Sequence, residues 1–219
     1  MKRPKLCTGF LLFVALLLCG ASCENRGIRN DAAKESAGLD TIRVSKRSHL
    51  EGDTANPYCD IQVEFIYPVT STGVSVDTLQ QFFVQNMLGA AYNTLSPEEA
   101  VEAYAQNYIE NYKYDAETYQ DAVSDMIELN ALIPGIDLSD SEHNVNERFY
   151  SYYETLSNSI VFNRYGIISF QVVQSNNKGG ASSYVSFQNY VIDVNSGQQV
   201  TENELFNAGY DQALQNLII

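Results

Sequence analysis

The sequence feature that most constrains the fold is the stretch Tyr184–Phe206, which combines a strand pattern, a turn and a helix start. Over Tyr184–Val194, β-branched and aromatic residues recur at alternate positions, which predicts a half-buried β-strand. The Asn-Ser-Gly segment at residues 195–197 then predicts a tight turn, because glycine readily adopts the positive φ that such turns require. A strand followed so closely by a helix start indicates a fold in which a sheet and helices pack together.

A closing helix is predicted over Glu202–Leu217. Thr201 and Glu204 have the spacing of a capping box, in which each residue bonds the other's backbone amide and so stabilises the helix start. The helix is expected to bury Leu205, Phe206, Ala213, Leu214 and Leu217.

The chain before this stretch predicts further strands and two more helices. The helices are expected over Val76–Leu88 and from Ser96 to about Lys113, whereas the pattern over Tyr114–Leu138 is ambiguous. Short connections between successive strands favour an antiparallel meander, so we expect an α+β fold: an antiparallel sheet packed by about three helices. The strands are expected over Thr41–Ser48, Cys59–Tyr67, Arg148–Leu156, Ser159–Phe162 and Ile167–Val173.

A stripe of tyrosines marks one face of the helix that starts near Ser96. Tyr104, Tyr108 and Tyr112 recur at helical spacing together with Val101. Such a stripe is either a platform on which a sugar stacks or a buried face whose hydroxyls reach the rim of the core. We favour the buried face, because periodic apolar faces of helices usually pack against the core.

The first 22 residues have the pattern of a bacterial export signal. A basic start is followed by the apolar run Phe10–Leu18, which is too short to span a bilayer. Small residues then precede Cys23, which predicts a lipoprotein signal peptide over residues 1–22 and lipidation of Cys23; the alternative is an ordinary signal peptide cut near Ser22. A flexible tether is expected over residues 23–39 and a single domain over residues 40–219.

Charge and composition narrow the function classes. The net charge is −14, and from residue 51 onward there are 23 acidic and four basic residues, which disfavours nucleic acid and anionic lipid as partners. Cys59 is expected to be a small buried hydrophobe. His143 lies near acidic residues, but the second histidine, His49, is distant, so we expect no metal site and no cofactor. No catalytic signature is present, and we expect the protein not to be an enzyme.

Several segments together resemble a bacterial envelope domain of unknown function. They are Tyr165–Ser169, Lys178–Ala181, Asn189–Val200 and Glu204–Phe206. The domain resembled is the exported half of the lysozyme-sensing anti-sigma factor RsiV and the N-terminal region of PdaC-type peptidoglycan deacetylases. A candidate binding loop is then formed by Lys178, Gly179, Gly180, Ser182 and Tyr184.

The chain departs from the resemblance at two points. Ser182 stands where relatives commonly have a histidine after the Gly-Gly-Ala segment, so a role that rests on that histidine does not carry over. Relatives also continue past the closing helix with further strands. The domain is therefore expected to lack C-terminal strands if the chain is a fragment of a longer domain.

The resemblance and the charge together lead to one functional expectation. The protein is expected to be an exported, lipid-anchored, non-catalytic binding module in the periplasm or at the outer membrane. Its ligand would be a cationic lysozyme-like protein or a wall glycan (a peptidoglycan fragment). The alternative is an accessory or structural subunit of a peptidoglycan-modifying assembly, which completes its sheet with another chain.

Overall fold

The computed structural model describes residues 34–131, 149–179 and 182–218, which form a six-stranded sheet with helices. No helix in this described part is long and apolar enough to cross a membrane. The strands are β1 (Leu39–His49), β2 (Tyr58–Pro68), β3 (Tyr152–Arg164), β4 (Ile167–Lys178), β5 (Tyr184–Asp193) and β6 (Gln198–Gln199). The helices are α1 (Val76–Met87), α2 (Pro97–Ala131), α3 (Glu202–Leu205) and α4 (Tyr210–Ile218), with short 3-10 turns at Leu50–Gly52 and Ala90–Tyr92.

The strands lie in the sheet in the same order as in the chain. Neighbouring strands are antiparallel except β2 and β3, which are parallel, with Cys59 beside Tyr152 and Glu64 beside Ser157. Parallel neighbours need a long crossover connection, and α1 and α2 lie in the connection between these two strands. The expected α+β class is therefore confirmed, while the simple meander is corrected at this one pair.

The core lies between α1, α2 and the face of the sheet that they cover. The alternate residues Cys59, Ile61, Val63, Phe65 and Tyr67 of β2 are at most 6 % exposed, as their period-two pattern predicts. From α1, Phe83 stacks on Phe170 of β4 with ring centroids 4.1 Å apart. On the opposite face of β1 and β2, Arg43 and Arg47 form ion pairs with Glu64 and Asp60. One face is thus apolar and buried, and the other is polar.

Strand β3 is one continuous strand, not the two that the sequence predicted. The two predicted strands left a gap at Ser157 and Asn158, but Asn158 is only 5 % exposed inside the strand. Its side-chain amide donates to the Ile66 carbonyl at 2.8 Å and accepts from the Ile66 N–H at 2.7 Å. The side chain of Asn158 therefore extends the link to β2. On its other side, the pairing of β3 with β4 shifts register between Ile160 and Phe162.

The packed domain begins before the predicted boundary at residue 40. Ser36 and Ala37, which fall in the predicted tether, are 1 % and 2 % exposed. The side chain of Asn163 bonds both the N–H and the carbonyl of Ala37, at 3.0 and 2.7 Å. The residues from Ser36 onward therefore belong to the fold, because β3 satisfies their backbone groups.

The closing helix differs most from its prediction. The capping box at Thr201 and Glu204 is present, but the helix ends at Leu205, and α4 starts separately after Gly209, whose φ is 87°. The residues expected to be buried, Leu205, Phe206, Ala213, Leu214 and Leu217, are all exposed, with Leu217 at 83 %. The helical period correctly marks an apolar face, but it does not say whether that face meets the sheet.

Helices α1 and α2 are present where they were predicted, and α2 is longer than expected. Helix α1 matches its expected bounds within one residue, and Ser75 caps it by accepting from the Thr78 N–H at 3.2 Å. Helix α2 continues from the predicted end near Lys113 to Ala131, so the described part of the ambiguous segment is helical.

Candidate functional site

The predicted binding loop connects β4 to β5. Lys178 ends β4 and is exposed, Ser182 lies exposed in the loop, and Tyr184 begins β5 with 61 % of its surface exposed. Gly179 lies between them with φ +81°, and Gly180 is outside the described residues. The structure thus places the described members of the predicted site together at one end of the sheet.

The backbone at Gly179 is fixed by two neighbours. Its N–H donates to the Asn177 side-chain oxygen at 2.8 Å. A Cβ at this position would lie 2.5 Å from the Cβ of Tyr150 and 2.9 Å from two of its ring atoms, so only glycine fits here. The Tyr150 side chain therefore packs directly on the loop backbone while 64 % of it remains exposed.

A third tyrosine contacts the loop from β3. The hydroxyl of Tyr153 hydrogen-bonds the hydroxyl of Ser183, and 40 % of Tyr153 is exposed. Tyr150 and Tyr153 contact the loop at Gly179 and Ser183, and Tyr184 ends it, so all three offer accessible aromatic surface there. The register places Tyr184 on the helix-covered side of the sheet and Tyr153 on the opposite side. We call these three residues the loop tyrosines. Exposed aromatic rings that carry hydroxyl groups suit a ligand that has both apolar and hydrogen-bonding faces.

The sequence did not point to Tyr150 and Tyr153 as members of the site. They come about 30 residues before Tyr184, and only the pairing of β3 with β4, in which Tyr153 lies opposite Asn177, brings them to the loop. Their one sequence signal was the cluster of tyrosines at the start of β3, which does not reveal whether the rings are exposed.

Below the loop, Glu154 lies buried on the helix-covered face of β3. It is 3 % exposed, and its carboxylate accepts a hydrogen bond from the Tyr104 hydroxyl of α2. Burial raises the pKa of Glu154 above its ordinary value, and hydrogen bonds from Tyr104 and Gln174 and the charge of Lys178 oppose the rise. Glu154 is thus a buried carboxyl held by polar neighbours beneath the loop.

The tyrosine stripe of α2 packs into the core, as favoured from the sequence. Tyr108 is 8 % and Tyr112 is 1 % exposed, so neither forms a surface platform for a sugar. Their hydroxyls also end inside the protein and not at the rim, and burial raises the pKa of both.

Cys59 of β2 lies close to the tyrosine stripe of α2. It is fully buried, as expected of a small hydrophobe. Burial, followed by the charges of Asp60 and Glu154, raises the pKa of its thiol to about 12. The thiol therefore stays protonated and unreactive near neutral pH.

The described residues contain no group of three or more His, Cys, Asp and Glu side chains that could hold a metal ion. His49 contacts the Asn56 carbonyl through Nδ1 at 3.0 Å. His143 and its acidic neighbours Glu142 and Glu147 lie outside the described residues.

We expect Glu154 to make the stability of the protein depend on pH. The pKa of Glu154 is raised in the folded state, so folding favours its protonated form. The stabilisation of the fold by this proton is complete below about pH 4.5, the ordinary pKa of the group, and is lost as the pH rises through the folded-state pKa. Urea unfolding of the wild type and of Glu154→Gln should therefore diverge, with the variant losing less stability between about pH 4.5 and neutrality.

The control for this prediction is Glu110→Gln, which removes one exposed carboxylate from α2. The Glu110 variant should follow the wild-type pH profile closely. A Glu154→Gln profile parallel to that of the wild type would show that Glu154 does not cause the dependence.

Comparison with known proteins identifies the fold. No protein-family model matches the sequence, and the search of curated proteins found no match. Among solved structures, the chain is similar to a DUF3298 family protein from Pseudomonas aeruginosa PAO1 (TM-score 0.48, 10 % identity, 84 % of this chain and 64 % of that chain). It is also similar to a DUF3298 family member from Bacteroides fragilis NCTC 9343, with TM-score 0.68 and 24 % identity over 84 % of this chain and 67 % of that chain. The Bacteroides likeness shows that the chain has the fold of a DUF3298 protein, a domain of unknown function.

Proposed function

We propose that the protein is an exported, lipid-anchored, non-catalytic binding module of the cell envelope, and that its β4–β5 loop binds a wall glycan. The observation that carries the proposal is the exposure of the three loop tyrosines around a loop whose backbone is fixed at Gly179. The anchor rests on the sequence pattern before Cys23, which lies outside the described residues. The resemblance to envelope domains supports the same location.

The chemistry of the loop suits a glycan. Sugar rings offer apolar C–H faces that pack on aromatic rings, and hydroxyl groups around their edges that exchange hydrogen bonds. Tyr150 and Tyr184 supply the aromatic surface in this proposal, while Lys178 offers hydrogen-bond donors and Ser182 both a donor and an acceptor. Fixed rings lose little conformational freedom when a ligand binds, and Tyr150 is held against Gly179 before any ligand arrives.

The test measures binding of the mature protein to insoluble peptidoglycan by cosedimentation. Tyr150→Ala and Tyr184→Ala should each weaken binding about twofold to twelvefold, as expected for the loss of one aromatic contact of about 0.5–1.5 kcal/mol. The matched control is Tyr165→Ala, which removes a tyrosine that is 78 % exposed at the β3–β4 turn. Equal binding by the loop variants and the control would contradict the glycan site.

A cationic lysozyme-like protein is the second candidate ligand, and the charge of α2 favours it. Eight acidic residues of this helix are exposed, against one exposed basic residue, Lys113. Complementary charge would mainly raise the association rate and make binding sensitive to salt. The acidic residues are Glu98, Glu99, Glu102, Glu110, Glu117, Asp121, Asp125 and Glu128.

Substitutions of aspartate by asparagine remove charge with little change in size. They distinguish an effect of the acidic surface of α2 from an effect of the net charge of the protein. Asp121→Asn with Asp125→Asn should slow association with a cationic lysozyme more than Asp77→Asn with Asp211→Asn, which removes the same charge from exposed sites elsewhere. No retention of the lysozyme at low or moderate salt would exclude this candidate.

The non-catalytic part of the proposal has its own support. Glu154 is buried at 3 % exposure and bonded to Tyr104, so a substrate at the loop would not reach its carboxyl without rearrangement. The purified mature protein should therefore not turn over wall fragments, and measurable turnover would overturn this part.

The alternative function is an accessory or structural subunit of a peptidoglycan-modifying assembly. Strand β5 pairs with β6 only at Ile192 and Asp193, and its segment Tyr184–Val191 carries no charged residue. On this segment Val185 and Phe187 are 49 % and 63 % exposed, and an uncharged edge of this kind accepts a further strand. Concentration-dependent oligomers in sedimentation would favour this alternative, and a strict monomer would count against it.

A further inference from the structure

The buried end of the tyrosine stripe contains two hydroxyls with unmet hydrogen bonds. Tyr108 and Tyr112 lie one helical turn apart on α2 and are 8 % and 1 % exposed. Among the described residues, 34–131, 149–179 and 182–218, neither hydroxyl has a hydrogen-bond partner. Buried polar atoms in folded proteins almost always have a partner, either a protein group or an ordered water.

The sheet opposite these hydroxyls is also polar at this point. Cys59 of β2 lies beside Tyr152 of β3, and both are on the face that α2 covers. The ring of Tyr152 is 4.9 Å from that of Tyr112, measured between centroids. Glu154 follows two residues later on the same face, and its charge acts on Tyr108. Polar atoms from the helix and from two strands therefore converge in an interior that is otherwise apolar.

We propose that ordered water binds in this interior, between α2 and strands β2 and β3. A water there accepts from one tyrosine hydroxyl and donates to the other or to the carboxylate of Glu154, which gives it the two to four partners that buried waters usually have. The phenols, the protonated thiol of Cys59 and the single carboxyl are a poor set for a metal ion, and an apolar ligand would leave both hydroxyls unpaired. None of these residues belongs to the β4–β5 loop, so the proposal does not depend on the proposed glycan binding.

Conservative substitutions test the proposal, because phenylalanine keeps the ring and removes only the hydroxyl. If water binds the hydroxyls, Tyr108→Phe and Tyr112→Phe each take a partner from it, and the urea midpoint should fall in each. If the hydroxyls have no partner, their removal relieves an unmet hydrogen bond and the midpoint should rise. Tyr104→Phe, which removes a hydroxyl with a direct partner, sets the scale of the loss, and Tyr165→Phe at the exposed turn should change nothing.

The water itself can be counted by magnetic relaxation dispersion of the solvent nuclei, which detects long-lived internal waters. We expect the Tyr108→Phe, Tyr112→Phe double variant to have at least one long-lived water fewer than the wild type. An unchanged count, or a urea midpoint that stays the same or rises in both single variants, would overturn the proposal.

Discussion

Replacement of Phe170 by alanine is expected to lower the free energy of unfolding by about 3–5 kcal/mol. Phe170 is fully buried on β4 at the centre of an aromatic cluster. Its ring stacks on Phe83 at 4.1 Å, meets Phe82 edge-on at 6.2 Å and packs on Tyr190 at 5.3 Å, measured between centroids. The substitution leaves a cavity, and because the surrounding side chains are closely packed, they can fill it only in part. Urea unfolding followed by circular dichroism measures the loss.

The control substitutes the same residue type on the neighbouring strand. Phe187 of β5 is 63 % exposed, so Phe187→Ala should change the free energy of unfolding by no more than about 0.5 kcal/mol. Similar losses for the two variants would mean that Phe187 is covered in the folded protein, and would contradict the assignment of the core to the helix-covered face.

The second large effect is expected at Asn158. Its side chain pairs with both backbone groups of Ile66, at 2.7 and 2.8 Å, just beyond the parallel ladder between β2 and β3. Asn158→Ala leaves the N–H and the carbonyl of the half-buried Ile66 without this partner, and each fully buried unmet group costs about 1–3 kcal/mol. Because Ile66 is only half-buried, we expect the lower part of the combined range, a loss of about 2–4 kcal/mol in urea unfolding.

The matched control is Asn189→Ala on β5, whose side-chain oxygen accepts from Gln171 at an exposed position. It should cost no more than about 0.5 kcal/mol. If Asn158→Ala were equally mild, the link between β2 and β3 would not depend on that side chain.

Local patterns predicted the elements whose two faces differ. The alternation over Cys59–Tyr67 predicted β2 within one residue at each end, and Ser75 and the capping box at Thr201 mark real helix starts. These signals work because side-chain direction in a strand and backbone satisfaction at a helix start depend only on nearby residues.

Long-range pairing accounts for most of what the sequence did not predict. Asn158 resembles a loop residue until its partner, Ile66, 92 positions earlier, is known. The amide of Asn163 likewise brings Ala37 into the domain from 126 positions away. The burial predicted for the closing helix was wrong for a related reason. The apolar face of α4 is genuine, but the strand pattern before it does not specify where the helix docks.

The binding loop was predicted from a family resemblance, and its role in binding stays a prediction. The structure places Lys178, Gly179 and Tyr184 at the connection between β4 and β5. Tyr150 and Tyr153 were missed because strand register, and not local sequence, brings them to the loop. The structure places Tyr108 and Tyr112 of the tyrosine stripe in the core, which removes the stripe as a sugar platform, whereas the loop tyrosines keep accessible aromatic surface.

Calorimetric titration of the mature protein with a soluble peptidoglycan fragment is the most direct test of a glycan site at the β4–β5 loop. We expect a saturable heat of binding for the wild type and for Tyr165→Ala, and a large loss of that heat when Tyr150 and Tyr184 are both replaced by alanine. No heat with the wild type, or the same binding curve for the double variant, would contradict it.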